Sequence, residues 1–366
     1  MKKNPILYVF CILILGFSLV DILTLDKEFS ELENRKLSKK PIFNLEDIFS
    51  GKYMKDFEKY VDDQFFLRDE WISLKSISEH ALGKIENNNI IYGEENYLFD
   101  KIKFYNEERF NKNLEALNEF IDRSEINIET IIVPNSYEIY DEYLPFGANL
   151  LNQKSLINKI YESNLKDGNI DLIDLFKNYK NEYIYYKTDH HWTTYGAYLA
   201  YCKYIENIGE NPVSLEDLNE NLVCEFYGTY FSRAKNFNAK GDILVYYDFE
   251  NVSMDIQGEK LNSLYDFEKL KSRDKYSAFI RGNNGLTVIK NEKLKNNKKL
   301  VVFKDSFGNS FVPFLTNNFE EIHVIDLRSF PYKVSEYLKN TDFNQCLILY
   351  SLENFLYDVN LMKLKY

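Results

Sequence analysis

Cysteine is scarce in this chain and gives no sign of a metal or disulfide framework. Only four cysteines occur in 366 residues, and no two of them form a Cys-x-x-Cys pair. This spacing excludes a zinc ribbon and is atypical of small domains stapled by disulfides. We therefore interpret them as isolated thiols without a shared site. They are Cys11, Cys202, Cys224 and Cys346.

Positive charge is also in deficit. The chain has 45 Lys and Arg against 57 Asp and Glu, which gives a net charge of −12. A surface this acidic argues against nucleic acid as the main partner. Hydrophobic residues make up 45% of the sequence, enough for a sizeable core in one large domain or two modest ones.

The N-terminal region lacks alanine, although it has the other features of an export signal. Lys2 and Lys3 precede an apolar run over residues 6–20, and no Ala-x-Ala cleavage site follows. This pattern predicts an uncleaved signal anchor at residues 1–25, with the N-terminus in the cytoplasm and the remainder outside the membrane. Secretion after signal-peptide cleavage is the alternative. The charged residues 26–47 are interpreted as a juxtamembrane linker.

The rest of the chain, residues 48–366, is predicted to form one catalytic domain. Short apolar runs alternate with helical patterns, which indicates an α/β domain with a mainly parallel sheet. The rhythm fails at about residues 210–297, where we expect an insertion or small subdomain. The predicted strands are residues 128–133, 170–175, 300–303, 322–325 and 346–350; the predicted helices include 105–123 and 194–208; a hairpin is predicted at 90–99.

Histidine is as scarce as cysteine, yet two of the four histidines are adjacent, in Asp189-His190-His191-Trp192. An Asp-x-His spacing lets a carboxylate orient an imidazole across one tight turn, the arrangement of a general base in hydrolysis or acyl transfer. The pair needs a nucleophile. Ser306 is the candidate, because it follows the predicted strand 300–303 at a strand-to-helix turn, where backbone N–H groups can stabilise an oxyanion. A helix N-cap is the alternative role for this serine.

With these residues the chain resembles the DHHW family, in the SGNH-hydrolase-like group that includes the alginate O-acetyltransferases. The similarity extends to Phe-Ser-Glu-Leu-Glu-Asn-Arg at residues 29–35, Asp-Gln-Phe-Phe-Leu-Arg at 63–68, Val-Pro-Asn at 133–135 and Asp-Leu-Arg at 326–328. The resemblance implies a flavodoxin-like α/β/α sandwich. It also implies a circularly permuted motif order, since Asp-x-His here precedes the serine.

The resemblance further implies roles for individual residues. Ser306 would be the nucleophile, His191 the general base and then acid, and Asp189 the residue that orients the imidazole. His190 is expected to be structural, and Trp192 to pack beneath the histidine turn.

The oxyanion hole is less well defined by the sequence. Asn354 is the candidate amide donor after the strand 346–350. The usual Gly-x-Asn spacing would place the asparagine one residue earlier, where this chain has Glu353. Arg328 is a candidate for substrate or oxyanion binding; a structural ion pair with Asp326 is the alternative.

Neither a metal nor another cofactor is expected. Adjacent histidines on a short turn point apart, and helical zinc pairs need a spacing of four residues.

Three functions fit these observations. The first is an extracytoplasmic O-acetyltransferase that acts on hydroxyls of a cell-surface or exported polysaccharide, through an acyl-serine intermediate. The resemblance implies that it works beside a membrane-bound O-acyltransferase that supplies acyl groups. The second is an acetyl esterase with the same triad, and the third is a non-catalytic assembly protein of polysaccharide biosynthesis.

Overall fold

The structure is a computed structural model that describes residues 5–163, 168–235 and 239–366. The chain divides into two compact units. The first consists of Met1–Asn87 and Phe231–Asn238, and the second of Asn88–Tyr230 and Ala239–Tyr366. The first four residues of the predicted anchor lie outside the described residues, as do residues 236–238 of the predicted insertion.

The first unit begins with a long apolar helix. Its elements in chain order are α1 Pro5–Leu23, β1 Phe29–Ser30, β2 Arg35–Lys36, α2 Leu45–Phe49, α3 Lys52–Gln64, α4 Arg68–Ala81 and β3 Glu86–Asn87. Helix α1 carries a single charged residue, Asp21, and is the one helix within the described parts of the chain that is long and apolar enough to cross a membrane. Strands β1 and β2 pair antiparallel.

An ion-pair network joins the two motif segments of this unit. The Arg35 guanidinium donates to both carboxylate oxygens of Asp63, and Ser38 donates to Asp63 through its backbone N–H and its hydroxyl, both at 2.8 Å. Arg68 donates to Glu33 at 2.6 Å. The bond from Arg35 holds the pKa of Asp63 well below its usual range. The motif at residues 29–35 and the motif at 63–68 are therefore tied together by charge.

The second unit is built around a mixed sheet. The strands of this unit, seven of which form that sheet, are in chain order β4 Ile90–Tyr92, β5 Leu98–Asp100, β6 Asn127–Val133, β7 Glu220–Phe226, β8 Asp242–Tyr247, β9 Val252–Ile256, β10 Glu259–Leu261, β11 Leu286–Asn291, β12 Lys299–Lys304, β13 Glu321–Ile325 and β14 Gln345–Ser351. The helices that follow α4 are α5 Glu107–Arg123, α6 Ser136–Ile139, α7 Gln153–Glu162, α8 Ile173–Asn178, α9 Thr194–Asn207, α10 Thr229–Ala234, α11 Phe267–Lys271, α12 Gly308–Leu315, α13 Val334–Lys339 and α14 Leu352–Tyr357.

The sheet has the order β10-β9-β11-β13-β12-β14-β6. Its core is parallel, since β13, β12, β14 and β6 run in one direction, whereas β11, β9 and β10 add antiparallel pairs at one edge. Helix α5 packs against β12 through Phe120 and Phe303, and α9 packs with α12 through Tyr201 and Phe314. The predicted α/β/α sandwich with its parallel core and permuted motif order is confirmed.

Most of the predicted elements coincide with observed ones. The four parallel core strands, the hairpin β4–β5 and helices α5 and α9 lie where the apolar patterns place them. The strand predicted at residues 170–175 is wrong, because α8 begins at Ile173. There the Asp171 carboxylate accepts a hydrogen bond from the Ile173 N–H at 2.8 Å, which turns the backbone out of the extended conformation.

The segment at about 210–297 contributes to the main sheet. Its strands β9, β10 and β11 form the antiparallel edge, and β7 pairs with β8. The division into an anchor at 1–25, a linker at 26–47 and a catalytic domain at 48–366 stays a prediction.

Candidate active site

The Asp-His-His-Trp motif lies on a tight turn that one buried carboxylate holds in place. Tyr185 and Trp192 form an antiparallel bridge, and the Tyr186 N–H donates to the His191 carbonyl at 3.2 Å. The Asp242 carboxylate, at the start of β8, accepts from the backbone N–H groups of Lys187 at 2.8 Å and Thr188 at 2.9 Å. Burial raises the pKa of Asp242, although these hydrogen bonds oppose the shift.

Asp189 and His191 are paired as the Asp-x-His spacing predicts. The Asp189 Oδ1 atom is 2.6 Å from His191 Nδ1 and also accepts from the His191 backbone N–H at 3.0 Å. Its Oδ2 atom accepts from the Thr229 N–H at 2.8 Å. Burial alone would raise the pKa of Asp189, but the charges of His190 and His191 and these hydrogen bonds hold it well below its usual range. The carboxylate therefore stays ionised and fixes the orientation of the ring.

Ser306 lies on the turn between β12 and α12, and its neighbour Asp305 ties that turn to β14. The Asp305 Oδ2 atom accepts from the Ser351 N–H and hydroxyl, both at 2.7 Å, while Oδ1 accepts from the Phe307 N–H at 2.9 Å. No described residue accepts a hydrogen bond from the Ser306 N–H. The turn is thus held between the adjacent parallel strands β12 and β14. The Ser306 N–H stays available as a donor beside the Ser306 hydroxyl.

The two turns bring the imidazole and the hydroxyl together. His191 Nε2 is 2.8 Å from Ser306 Oγ, although 115 residues separate them in sequence. His191 is buried and Ser306 is half-buried, so the hydroxyl is the more accessible end of the Asp189–His191–Ser306 relay. This order of contacts is that of a nucleophile, a base and an orienting acid.

Aromatic side chains pack around the relay and the turns that carry it. The Tyr276 ring lies flat on the His191 imidazole, with centroids 3.7 Å apart and planes 11° from parallel. Its hydroxyl lies 3.2 Å from the Ser306 carbonyl and 3.0 Å from Ser310 Oγ. The Trp192 indole is fully buried and donates to the Phe307 carbonyl at 3.1 Å. Trp192 therefore packs beneath the turn and links it to the serine segment.

His190 points away from the serine. Its Nδ1 atom is 2.7 Å from the Thr229 hydroxyl, which itself donates to Asp189, and its ring lies 3.8 Å from that of His191. Burial and the neighbouring His191 lower the pKa of His190.

A metal ion is a geometric alternative at this point. Ligand atoms of Asp189, His190 and His191 lie within 4.8 Å of one another. However, both ring nitrogens of His191 already face Asp189 and Ser306, and one ring nitrogen of His190 faces Thr229. The donor set therefore suits a proton relay better than a cation site.

The two candidate oxyanion residues, Asn354 and Arg328, are hydrogen-bonded to neighbouring carboxylates. The Asn354 amide donates to Asp305 Oδ2 at 2.8 Å, which links it to the residue before Ser306. The Arg328 guanidinium forms a two-point ion pair with Asp326, as the structural alternative predicts. The Arg328 side chain is 42% exposed, so the group still faces solvent.

A lysine is buried behind the serine turn. Lys304 is 1% exposed, and its Nζ atom donates to Asn283 at 2.8 Å and to Asn309. Burial lowers the pKa of Lys304 to about 8, although Asp326 and Asp305 oppose the shift. The lysine stabilises the start of α12 through Asn309. Among the described residues it has no hydrogen bond to Asp189, His191 or Ser306.

Sequence reasoning missed several residues that hold the site, and four of them lie at residues 210–297. They are Gly228, Thr229, Asp242 and Tyr276. Each is a single residue in an irregular stretch, and none stands in a motif. The one available signal was the isolated Gly-Thr pair at 228–229, because a lone glycine often marks a close approach of the backbone.

Comparisons with known proteins show the family and the fold. A profile described as "DHHW protein" matches residues 117–325. The crystal structure of a DHHW family protein from Eubacterium siraeum is 25% identical with a TM-score of 0.67, over 77% of this chain and 96% of that one. PatB1 of Bacillus cereus, solved with a sulfonyl adduct, is 21% identical with a TM-score of 0.63, over 76% and 98%.

A third solved structure is the O-acetyltransferase domain of Pseudomonas putida AlgJ, 13% identical with a TM-score of 0.51, over 76% of this chain and 98% of that one. A comparison with curated proteins gives no match. The last two structures share the fold. The profile match spans more than half of the chain and contains the motif that gives the family its name. This chain therefore belongs to the DHHW family.

Proposed function

We propose that this protein is a serine-dependent O-acetyltransferase that acts outside the cytoplasmic membrane on hydroxyls of a cell-surface or exported polysaccharide. The observation that carries the proposal is the 2.8 Å contact between His191 Nε2 and Ser306 Oγ, with Asp189 on the far side of the ring. Similarity to an O-acetyltransferase domain supports the reaction class.

The reaction would proceed in two acyl transfers. In the first, Ser306 Oγ attacks the acetyl carbonyl of the donor while His191 Nε2 takes the hydroxyl proton. That proton then goes to the departing donor group, which leaves acetyl-Ser306. In the second, a sugar hydroxyl attacks the acetyl-serine ester, His191 takes its proton, and the proton returns to Ser306 Oγ as the sugar ester leaves. Asp189 stabilises the imidazolium formed in each step.

The oxyanion of each tetrahedral intermediate needs donors close to the serine. The Ser306 N–H is the first candidate, since no described residue takes its hydrogen bond. The Asn354 amide is the second, because Asp305 holds it beside the same turn. Arg328 extends from the end of the neighbouring strand β13, where its exposed guanidinium could contact an anionic or hydroxyl-rich acceptor.

The N-terminal helix supports the proposed location. Helix α1 would serve as a signal anchor that holds the catalytic residues outside the membrane, beside a membrane-bound O-acyltransferase that supplies acetyl groups. Residues 26–47 would then link the anchor to the catalytic domain at 48–366. Release after cleavage would give a secreted form of the same enzyme.

Acetyl transfer to the serine is the direct test. Full-length protein in detergent is incubated with p-nitrophenyl acetate, with and without oligosaccharide acceptors, and mass spectrometry follows acetylation of Ser306 and of the sugar. We expect acetyl-Ser306 in the wild type and none in Ser306→Ala. The exposed Ser329 gives a matched control, and Ser329→Ala should react like the wild type.

The result also separates the alternatives. Acetylated sugar supports the transferase. Release of acetate at the same rate with and without a sugar acceptor identifies an esterase. Unchanged turnover in Ser306→Ala would overturn the triad, and a wild type with no acetyl-serine and no turnover would favour a non-catalytic role.

A further inference from the structure

Helix α4 of the first unit carries its large apolar side chains on the outside. Leu67, at its N-cap, and Trp71 are each 44% exposed, Leu74 is 54% exposed and Ile77 is 42% exposed. The small polar Ser76, on the opposite side of the helix, is buried at 5% exposure. Helices of soluble proteins show the reverse arrangement, with the apolar stripe facing the core.

The exposed apolar side chains form one stripe, which also contains the exposed Glu70 and Ser78. Spacings of three and four residues place Leu67, Trp71, Leu74 and Ile77 on one side of a helix, and the 88% exposed Leu82 follows at its C-cap. A mostly apolar surface of this kind marks a site of contact with another molecule or with a membrane.

Contacts with α1 fix the level at which this stripe begins. The Phe17 ring of α1 lies 6.0 Å from Trp71 and 6.3 Å from Phe65, centroid to centroid. The Phe66 N–H donates to the Asp21 carboxylate at 2.9 Å. Phe17 is six residues before Leu23, the end of α1, which corresponds to about 9 Å along the helix axis.

We infer that α4 lies in the outer interface of the membrane, with the stripe from Leu67 to Leu82 in contact with lipid. This inference rests on the proposed anchoring by α1. The 19 residues of α1 extend over about 28 Å, close to the ~30 Å hydrocarbon thickness of a bilayer. When α1 spans the membrane, its contacts place Phe65 and Trp71 at the boundary of headgroups and acyl chains.

Lipid fits the stripe better than a protein partner because the stripe continues the apolar surface of α1. Interfacial helices bury their apolar face about 5–10 Å into this boundary, which matches the ~9 Å offset of Phe17. Tryptophan prefers the same level, since its ring is apolar and its N–H is polar. The occupant is thus the bilayer that holds α1.

Tryptophan fluorescence tests this directly, because the chain has only two tryptophans. Trp192 is fully buried in the second unit, so Trp71→Phe records its signal alone. The full-length protein is reconstituted into phosphatidylcholine–phosphatidylglycerol vesicles, with or without lipids brominated on the acyl chains. The signal of Trp71 is the difference between the wild type and Trp71→Phe, and iodide serves as the aqueous quencher.

We expect brominated lipid to remove about half or more of the Trp71 signal, while iodide has little effect, as for a ring at the interface. A second reporter, Leu74→Trp in the Trp71→Phe background, should behave in the same way. A vesicle-bound protein whose residue 71 is quenched by iodide but not by brominated lipid would overturn the inference and leave the stripe to a protein partner. Failure of the full chain to float with vesicles would overturn the anchoring as well.

Discussion

Gly228 lies directly against the carboxylate of Asp189. A Cβ atom at position 228 would come within 2.1 Å of Asp189 Cβ and 2.2 Å of its Oδ2 atom. Only glycine fits there, because real atoms do not approach so closely. Gly228→Ala must therefore displace Asp189, and we expect kcat/KM for acetyl transfer to fall by about 10²-fold or more.

A matched glycine separates this effect from general instability. A Cβ atom at Gly209 would meet no atom within 4 Å, but the backbone there has a φ of +78°. Gly209→Ala should therefore cost about 1 kcal/mol of stability through backbone strain and leave turnover unchanged. Comparable activity losses in the two variants, measured beside their unfolding free energies, would contradict the role of Gly228.

Tyr276 is expected to position the histidine in two separable ways. Tyr276→Phe keeps the ring on His191 and removes the hydroxyl contacts with the Ser306 segment, whereas Tyr276→Leu removes the stacked ring. An aromatic face stabilises a cation above it, so loss of the ring disfavours the imidazolium that the proposed reaction forms. We expect kcat/KM for acetyl transfer to fall by about 10-fold or more in Tyr276→Leu and by less in Tyr276→Phe. Equal losses in both variants, measured by steady-state kinetics, would reduce Tyr276 to a packing residue.

The adjacent histidines should differ in their importance for turnover. His191→Asn removes the base and should lower kcat by about 10⁴-fold or more. His190→Asn alters the contact with Thr229 and removes the ring beside His191, and it should cost about 10- to 100-fold. Steady-state kinetics with an acetyl ester, with and without a chelator, measures both. Equal losses together with inhibition by the chelator would favour a metal site over the relay.

Glu129 on β6 should make the stability of the protein depend on pH. Its carboxylate is buried near Tyr204 and Cys346, and no described residue bonds its Oε2 atom. Burial raises the pKa of Glu129 to about 7, so the native state binds a proton that the unfolded chain releases above its usual pKa. The stability that this bound proton contributes is fully present below about pH 4.5 and is lost as the pH rises through about 7.

The neutral variant Glu129→Gln should therefore be more stable than the wild type at pH 8, by about 1–3 kcal/mol, and the difference should shrink at pH 5. Urea unfolding at the two pH values measures it. The exposed Glu125 provides the control, since Glu125→Gln should not change the pH dependence. A stability difference that is equal at both pH values would contradict the buried charge.

The parallel core was predictable because its strands are short apolar runs, with chemistry placed at their ends. Ser306 and Asp326 follow such runs, and parallel strands bring their carboxyl ends to one edge. The Asp189–His191 pair was predictable because its geometry is local, set by a spacing of two residues. The contact of His191 with Ser306 joins residues far apart in the chain. The sequence suggested it only because an Asp-His pair needs a nucleophile and Ser306 follows a strand.

The supporting residues could not be predicted, because their roles depend on tertiary packing. Asp242 and Tyr276 stand on unrelated elements, and nothing in their neighbours along the chain indicates that one accepts two backbone N–H groups and the other covers an imidazole. The wrong prediction of a strand at 170–175 has a local cause instead of a tertiary one. Its apolar alternation suits an extended chain, but the Asp171 carboxylate accepts a hydrogen bond from the Ile173 N–H, where helix α8 begins.

The pairing of β14 with β6 brings residues from late in the chain to the serine turn. Residue 345 pairs with residue 127, and Ser351 and Asn354 then bind the carboxylate beside the nucleophile. During synthesis the Asp-His-His-Trp turn emerges long before these partners exist. A nascent chain that stops before residue 354 would carry the base and the serine without the clamp that aligns them. In the proposed enzyme, the alignment of Ser306 with His191 would therefore depend on β14, the last strand of the parallel core.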